Sequence, residues 1–193
     1  AATEPEWFYP AILEDLGVEW YRPYDTLMDS SGGLPWTEWF LGGRRNIKNK
    51  MLDRHLRTGY GDQLAVVGEG DEGEVSQLTY SELGERVSRC AAVLSAFGVS
   101  PGDAVGLYLP MAPDVVVALL ACLKIGAVPV PVFAGFGPEA LAARLQDAGA
   151  RVLLTADGTR RRGRLLRLKD MADRAADIAG GIEHVVVLRH AGA

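Results

Sequence analysis

AVGLYLPMAPDVVVALLACLKIGAVPVPVF, residues 104–133, is the stretch that decides the fold. Ala104 to Leu109 is a short apolar run behind the turn Pro101-Gly102-Asp103, and Pro110 and Pro113 forbid its extension, which predicts a short buried strand. Asp114 to Ile125 is apolar on nearly every side, the pattern of a helix covered by other layers, and Gly126 ends it. Val128 to Phe133 then returns to strand. Its two prolines, Pro129 and Pro131, lack the amides that a central strand must donate, so the strand belongs at an edge or in an interrupted ladder.

Working outward, the same alternation repeats. Pro138 and Glu139 suit a helix amino terminus, Leu141 and Leu145 face inward, Gly149 closes the element, and Arg151 to Thr155 is the next strand. A basic loop follows, then a mixed polar and apolar stretch through Ala179 and a last strand at Val185 to Leu188. Upstream, Leu64 to Glu69 and Val75 to Thr79 read as a hairpin around an acidic turn, Gly70 to Glu74, whose Asp71-Glu72 pair reads as solvated. Thr79-Tyr80-Ser81-Glu82 is a capping box that starts a helix. Leu83, Val87, Cys90, Ala91 and Leu94 form its apolar stripe, and Gly98 stops it.

Strands alternating with helices of this length imply crossover units. The expected class is α/β: a largely parallel, twisted sheet with flanking helices, over residues 61–193. Residues 1–60 differ in texture, holding Trp7, Trp20, Trp36 and Trp39 among scattered prolines and Gly-Gly pairs. They read as an arm that wraps a separate core, pinned by its rings, instead of building its own. Short helices are expected at Pro35 to Phe40 and Asn46 to His55.

Composition excludes several classes of function. With 20 basic and 25 acidic residues the chain carries a formal charge of −5, so no global positive field draws it to nucleic acid or anionic lipid. The longest apolar run, Val115 to Leu123, is too short to cross a bilayer of about 30 Å. Ala1 to Pro10 lacks the basic start and apolar core of a signal peptide. Cys90 and Cys122 lie in apolar helical stretches and read as small buried hydrophobes, which fits a reducing, cytoplasmic setting. His55, His184 and His190 are far apart and no CxxC exists, so no metal site is expected.

In parallel sheets, ligands gather beyond the carboxyl ends of strands. Two segments with unusual composition fall there, Phe133 to Gly137 and Gly158 to Arg164. Arg160, Arg161, Arg162, Arg164, Arg167 and Lys169 place six cations within ten residues of an acidic chain. Such a run is either a solvated face or a phosphate grip, since guanidinium groups hold phosphate oxygens with paired hydrogen bonds. Phe133-Ala134-Gly135-Phe136-Gly137 would add a small-residue floor and an aromatic face for a purine. Arg44, Arg45, Lys48, Lys50 and Arg54 form a second basic group, read as an exposed helix face. No GxxxxGK[ST], GxGxxG or GxSxG motif is present, and no nucleophile and base pair, so no catalytic residue is assigned.

The chain resembles a known family. Val18-Glu19-Trp20-Tyr21-Arg22-Pro23-Tyr24-Asp25, then Trp36-Thr37-Glu38-Trp39-Phe40-Leu41-Gly42-Gly43, Asn46-Ile47 and Leu52-Asp53-Arg54-His55, is similar to the amino-terminal region of acetyl-CoA synthetases. Leu78 to Leu83 and Leu123 to Val130 resemble early motifs of all AMP-forming acyl-CoA synthetases, luciferases and peptide-synthetase adenylation domains. Phe133 to Ala140 and Thr155-Ala156-Asp157, leading to Arg161 and Arg164, match the acetyl-CoA synthetase branch.

That family activates a carboxylate with ATP as acyl-adenylate, with Mg2+, and then transfers the acyl group to the thiol of coenzyme A. The resemblance implies that Phe133, Ala134 and Gly135 line the adenine of coenzyme A and that Arg161 and Arg164 hold its phosphates. Ala134 stands where acetyl-CoA synthetases carry glycine, and Lys48 and Lys50 make the arm more charged than is usual in the family. The Thr/Ser/Gly-rich ATP loop ending in Pro-Lys, the later ribose and adenine motifs and the adenylation lysine are not among these 193 residues. The expectation is therefore an amino-terminal fragment that carries part of the coenzyme A site, is inactive alone, binds ATP and Mg2+ outside this segment and has the remainder of the synthetase as its partner. The alternative is a standalone nucleotide-binding or regulatory module derived from that fold. A nucleic-acid-binding domain built on the arginine run is disfavoured by the net charge and by the absence of interleaved aromatics. A sheet separated from the rest of the enzyme is also expected to expose apolar surface around Asp114 to Ile125 and so to self-associate.

Overall fold

The computed structural model describes residues 4–70 and 73–192; the Asp71-Glu72 turn lies outside them. The chain divides after Arg54 into two compact units.

The first unit holds helix α1 (Pro5–Asp15) and the antiparallel strands β1 (Thr26–Asp29) and β2 (Glu38–Leu41). The helix expected at Pro35 to Phe40 is instead a single 3-10 turn, Leu34–Trp36, running into β2. Glu38-Trp39-Phe40-Leu41 is rich in aromatic strand formers, and pairing with β1 satisfies its backbone. The rings of this unit pack on one another: Tyr9 meets Trp39 at 4.7 Å, and Trp20, Tyr24 and Phe40 lie 5.3–5.6 Å apart. This segment thus has an aromatic cluster of its own. The second expected helix is present as a wide π turn, Asn49–Asp53, continuing into α2 (Arg54–Arg57). Asn49 Nδ2 is buried there and donates to the Glu19 carboxylate at 2.8 Å.

The second unit opens with the hairpin of β3 (Leu64–Glu69) and β4 (Val75–Thr79), then α3 (Tyr80–Ala96). The capping box forms: the Thr79 hydroxyl accepts from the Glu82 N–H at 3.2 Å, and the Glu82 carboxylate accepts from the Thr79 N–H at 2.8 Å. Leu83, Val87, Ala91 and Leu94 are buried along one stripe. Next come β5 (Ala104–Tyr108), α4 (Pro113–Ile125), β6 (Val128–Pro131), α5 (Pro138–Ala148) and β7 (Val152–Ala156). Gly126 and Gly149 close α4 and α5 in the left-handed conformation.

After β7 the structure departs from the sequence reading. The basic loop is a hairpin of β8 (Thr159–Arg161) and β9 (Arg164–Leu166), and the mixed stretch is helix α6 (Leu168–Ala179), with β10 (His184–Leu188) last. Helix α6 buries Leu168, Ala172 and Ala175, a stripe built mostly of alanines that apolar periodicity underweights.

The sheet is four-stranded and parallel, in the order β10-β7-β5-β6. The proline-bearing β6 takes the edge, as its missing amides require. The chain steps from β5 to one side and then returns past it to β7 and β10, so right-handed crossovers send α4 to one face and α5 and α6 to the other. Val105, Leu107, Leu153 and Leu154 are almost fully buried between these layers. No residue of α4 is exposed, because α3 packs along it and β5 and β6 lie beneath it. The expected bare apolar face around this helix is absent. No helix among the described residues is long and apolar enough to cross a membrane.

Candidate anion-binding cleft

Two carboxyl-terminal loops meet beside β5. Strand β6 lies on one side of β5 and β7 on the other, so the loop that follows β6 and the hairpin that follows β7 converge at one end of the sheet. Between them is a cleft of about 630 Å³ lined by Ala134, Gly135, Phe136 and Gly137 from the first and Arg161, Arg162 and Arg164 from the second, with α6 behind.

The floor is fixed from below. The Tyr108 hydroxyl, at the end of β5, donates to the Phe136 carbonyl at 2.8 Å and lies 3.5 Å from that of Ala134, tying the loop to the sheet. Burial pushes the Tyr108 phenol up from its ordinary pKa, so this donor stays protonated. Gly135 is needed for close approach: a Cβ there would stand 2.5 Å from Phe133 Cε1 and 3.0 Å from Arg161 Nη1. Arg161 Cζ sits 5.4 Å from the centroid of the Phe133 ring, and Arg144 Cζ 4.5 Å from that of Phe136. Phe133 is exposed and flanks the cleft beneath Arg161, whereas Phe136 belongs to its lining.

The cations are presented by register. Arg161 and Arg164 are a directly opposed pair, joined by the two-residue turn Arg162-Gly163, so both side chains leave the same face of the hairpin. Arg160 pairs with Leu165 on the opposite face and lines a different cavity with Gly68, Met111 and His190. Opposed like charges weaken a strand pair. This arrangement therefore costs stability that an anion between the guanidiniums would restore.

The root of the hairpin is anchored through Asp157. Its Oδ1 accepts from the N–H groups of Gly158, His190 and Ala191, and Oδ2 from that of Gly192, all at 2.8–2.9 Å. Gly158 lies where a Cβ would stand 2.9 Å from the Leu166 carbonyl, so the hairpin closes directly on this carboxylate-bound loop. Sequence reading noted Asp157 only within a motif; its anchoring depends on amides some 33–35 residues away.

Burial, and next the neighbouring Cys90, pushes the Cys122 thiol up to about 12, and burial raises Cys90 as well, so both are neutral thiols at physiological pH. Among the described residues no three His, Cys, Asp or Glu side chains cluster as a metal site.

A glycine floor, aromatic faces and opposed guanidiniums thus meet at the carboxyl end of a parallel sheet, and comparison with known proteins fixes the lineage. The family model described as AMP-binding enzyme matches residues 53–191. The chain belongs to the AMP-binding enzyme family. Within it, residues 1–50 match the model of the acetyl-coenzyme A synthetase N-terminus. An acetyl-coenzyme A synthetase of Deinococcus radiodurans is 42% identical over 189 residues, covering 98% of this chain and 28% of its own length. One from Streptomyces coelicolor is 46% identical over 158 residues, covering 82% of this chain and 24% of its own. The solved acetoacetyl-CoA synthetase from Streptomyces lividans superimposes with a TM-score of 0.88 at 30% identity, over 96% of this chain and 28% of that one. This chain thus spans roughly a quarter of the length of the relatives it matches.

Proposed function

We propose that these residues build part of the coenzyme A nucleotide site of an AMP-forming acyl-CoA synthetase that activates acetate or another short carboxylate as acyl-adenylate and passes it to the coenzyme A thiol. The observation that carries this reading is the register-opposed pair Arg161 and Arg164, facing the Phe133 to Gly137 loop across one cleft. The guanidiniums grip phosphate oxygens, and the bare backbone at Gly135 with the Phe133 and Phe136 rings receives the adenine. ATP and Mg2+ bind to other parts of the synthetase, in the cytoplasm, and these 193 residues alone form no acyl-adenylate. Domain roles follow the same division: residues 1–60 are the acetyl-CoA-synthetase-type arm and residues 61–193 the first α/β part of the AMP-binding domain.

Arg161→Ala and Arg164→Ala test the assignment. Losing a charged hydrogen bond to an anionic ligand costs about 1.5–3 kcal/mol, or roughly ten- to hundredfold in affinity. Coenzyme A binding should weaken by that factor in each variant, while acetate-dependent pyrophosphate exchange by the complete synthetase is spared. Unchanged affinity in both variants would return the arginines to a solvated face.

A further inference from the structure

The opposed pair leaves one cation of the cleft unassigned. Arg162 occupies the first position of the two-residue turn between β8 and β9, with φ 51°, and Gly163 follows with φ 72°. Both central residues are left-handed, the geometry of a type I′ hairpin turn, where Asn-Gly is the favoured pair because few side-chain-bearing residues tolerate positive φ. Positive φ at this position does not call for an arginine. Yet Arg162 lines the same cleft as Arg161 and Arg164, whereas Arg160 lines another. The residue least suited to the backbone conformation is thus one that adds a third guanidinium to the cleft.

We propose that Arg162 is a third phosphate-binding residue of this cleft, placed there at the expense of turn geometry. The inference rests on the coenzyme A reading above. The nucleotide end of coenzyme A carries a 5′-diphosphate and a 3′-phosphate, more anionic charge than two guanidiniums neutralise. A third on the same cleft meets that charge with a bidentate donor.

Titration calorimetry of the protein with coenzyme A separates the possibilities. Arg162→Asn creates the favoured Asn-Gly turn and removes the charge. It should weaken binding by about tenfold or more while leaving the thermal midpoint unchanged or raised. Arg162→Lys, which keeps charge without the planar fork, should recover part of the loss. Arg160→Asn removes the same charge from the other face and should stay within about twofold of the parent, since solvent screens it from the cleft. An Arg162→Asn variant no weaker than Arg160→Asn overturns the inference while leaving the coenzyme A reading standing. Failure of Arg161→Ala and Arg164→Ala to weaken binding, or no binding by the parent, overturns that reading and the inference with it.

Discussion

The crossovers that leave β5 and β7 start from neighbouring strands at the same carboxyl end of one sheet and are built on opposite terms. After β5 the chain turns in four residues, Leu109 to Ala112, without a charge, and Pro113 starts α4 at once. After β7 it spends Asp157 to Arg167 on a hairpin with arginine against arginine and a side-chain-bearing residue at φ 51°. The first connection carries no like-charge pair and no residue at positive φ. The second carries both, and it borders the cleft. Under the coenzyme A proposal, ligand binding offsets the cost of that local conflict.

The strongest way to break this contrast is through the frame. Leu154, buried in β7, should on replacement by Ala lower unfolding stability by about 2–5 kcal/mol in chemical denaturation. If the contrast holds, coenzyme A affinity of the still-folded variant stays near that of the parent. Next in size is Asp157→Ala, which strips acceptors from the amides of His190, Ala191 and Gly192. It should cost about 2–3 kcal/mol and, unlike the frame variant, also weaken coenzyme A binding, because the hairpin root loses its anchor. Equal stability loss with no loss of affinity would separate Asp157 from the site.

Gly135→Ala sharpens the comparison from the other side. The added Cβ must displace Phe133 or Arg161 on an exposed loop, so stability should change by less than about 1 kcal/mol while affinity falls roughly tenfold. Smallest is a pH effect confined to the frame. Hydrogen bonds from Thr79 hold the Glu82 carboxyl below its ordinary value of 4.5, so the cap stabilises the fold above that pH and is lost as pH falls through the lowered folded value. Acid titration of helicity in the parent and Glu82→Gln should diverge at neutral pH, with the parent the more stable there, and converge once pH falls below the lowered folded value of Glu82.

These residues also explain what was legible beforehand. The β3–β4 hairpin, the Thr79 cap, α4 and the edge position of β6 rest on local chemistry: turn residues, a hydroxyl three residues before a glutamate, missing proline amides. Each can be read without knowing what lies nearby. Thr159 to Leu166 hides its hairpin because four arginines mask any alternation and only Gly163 signals the turn. Helix α6 hides because its inward positions are largely alanine, and unit one hides β2 because Trp39 and Phe40 suit helix and strand patterns alike. The loops of the cleft were each visible as anomalies of composition. Their place beyond the carboxyl ends of the strands follows from the alternation of strand and helix, whereas the exclusion of Arg160 follows from register, which one-dimensional periodicity does not contain.

Hydrogen–deuterium exchange with and without coenzyme A tests the central claim most directly, because it reports where the nucleotide binds without altering a residue. Protection should appear at the amides of residues 134–137 and 159–166, with the β3–β4 hairpin and the Pro110 to Ala112 turn unchanged. Protection confined to the hairpin and that turn, or none at either cleft segment, would contradict the assignment of this cleft to the coenzyme A nucleotide.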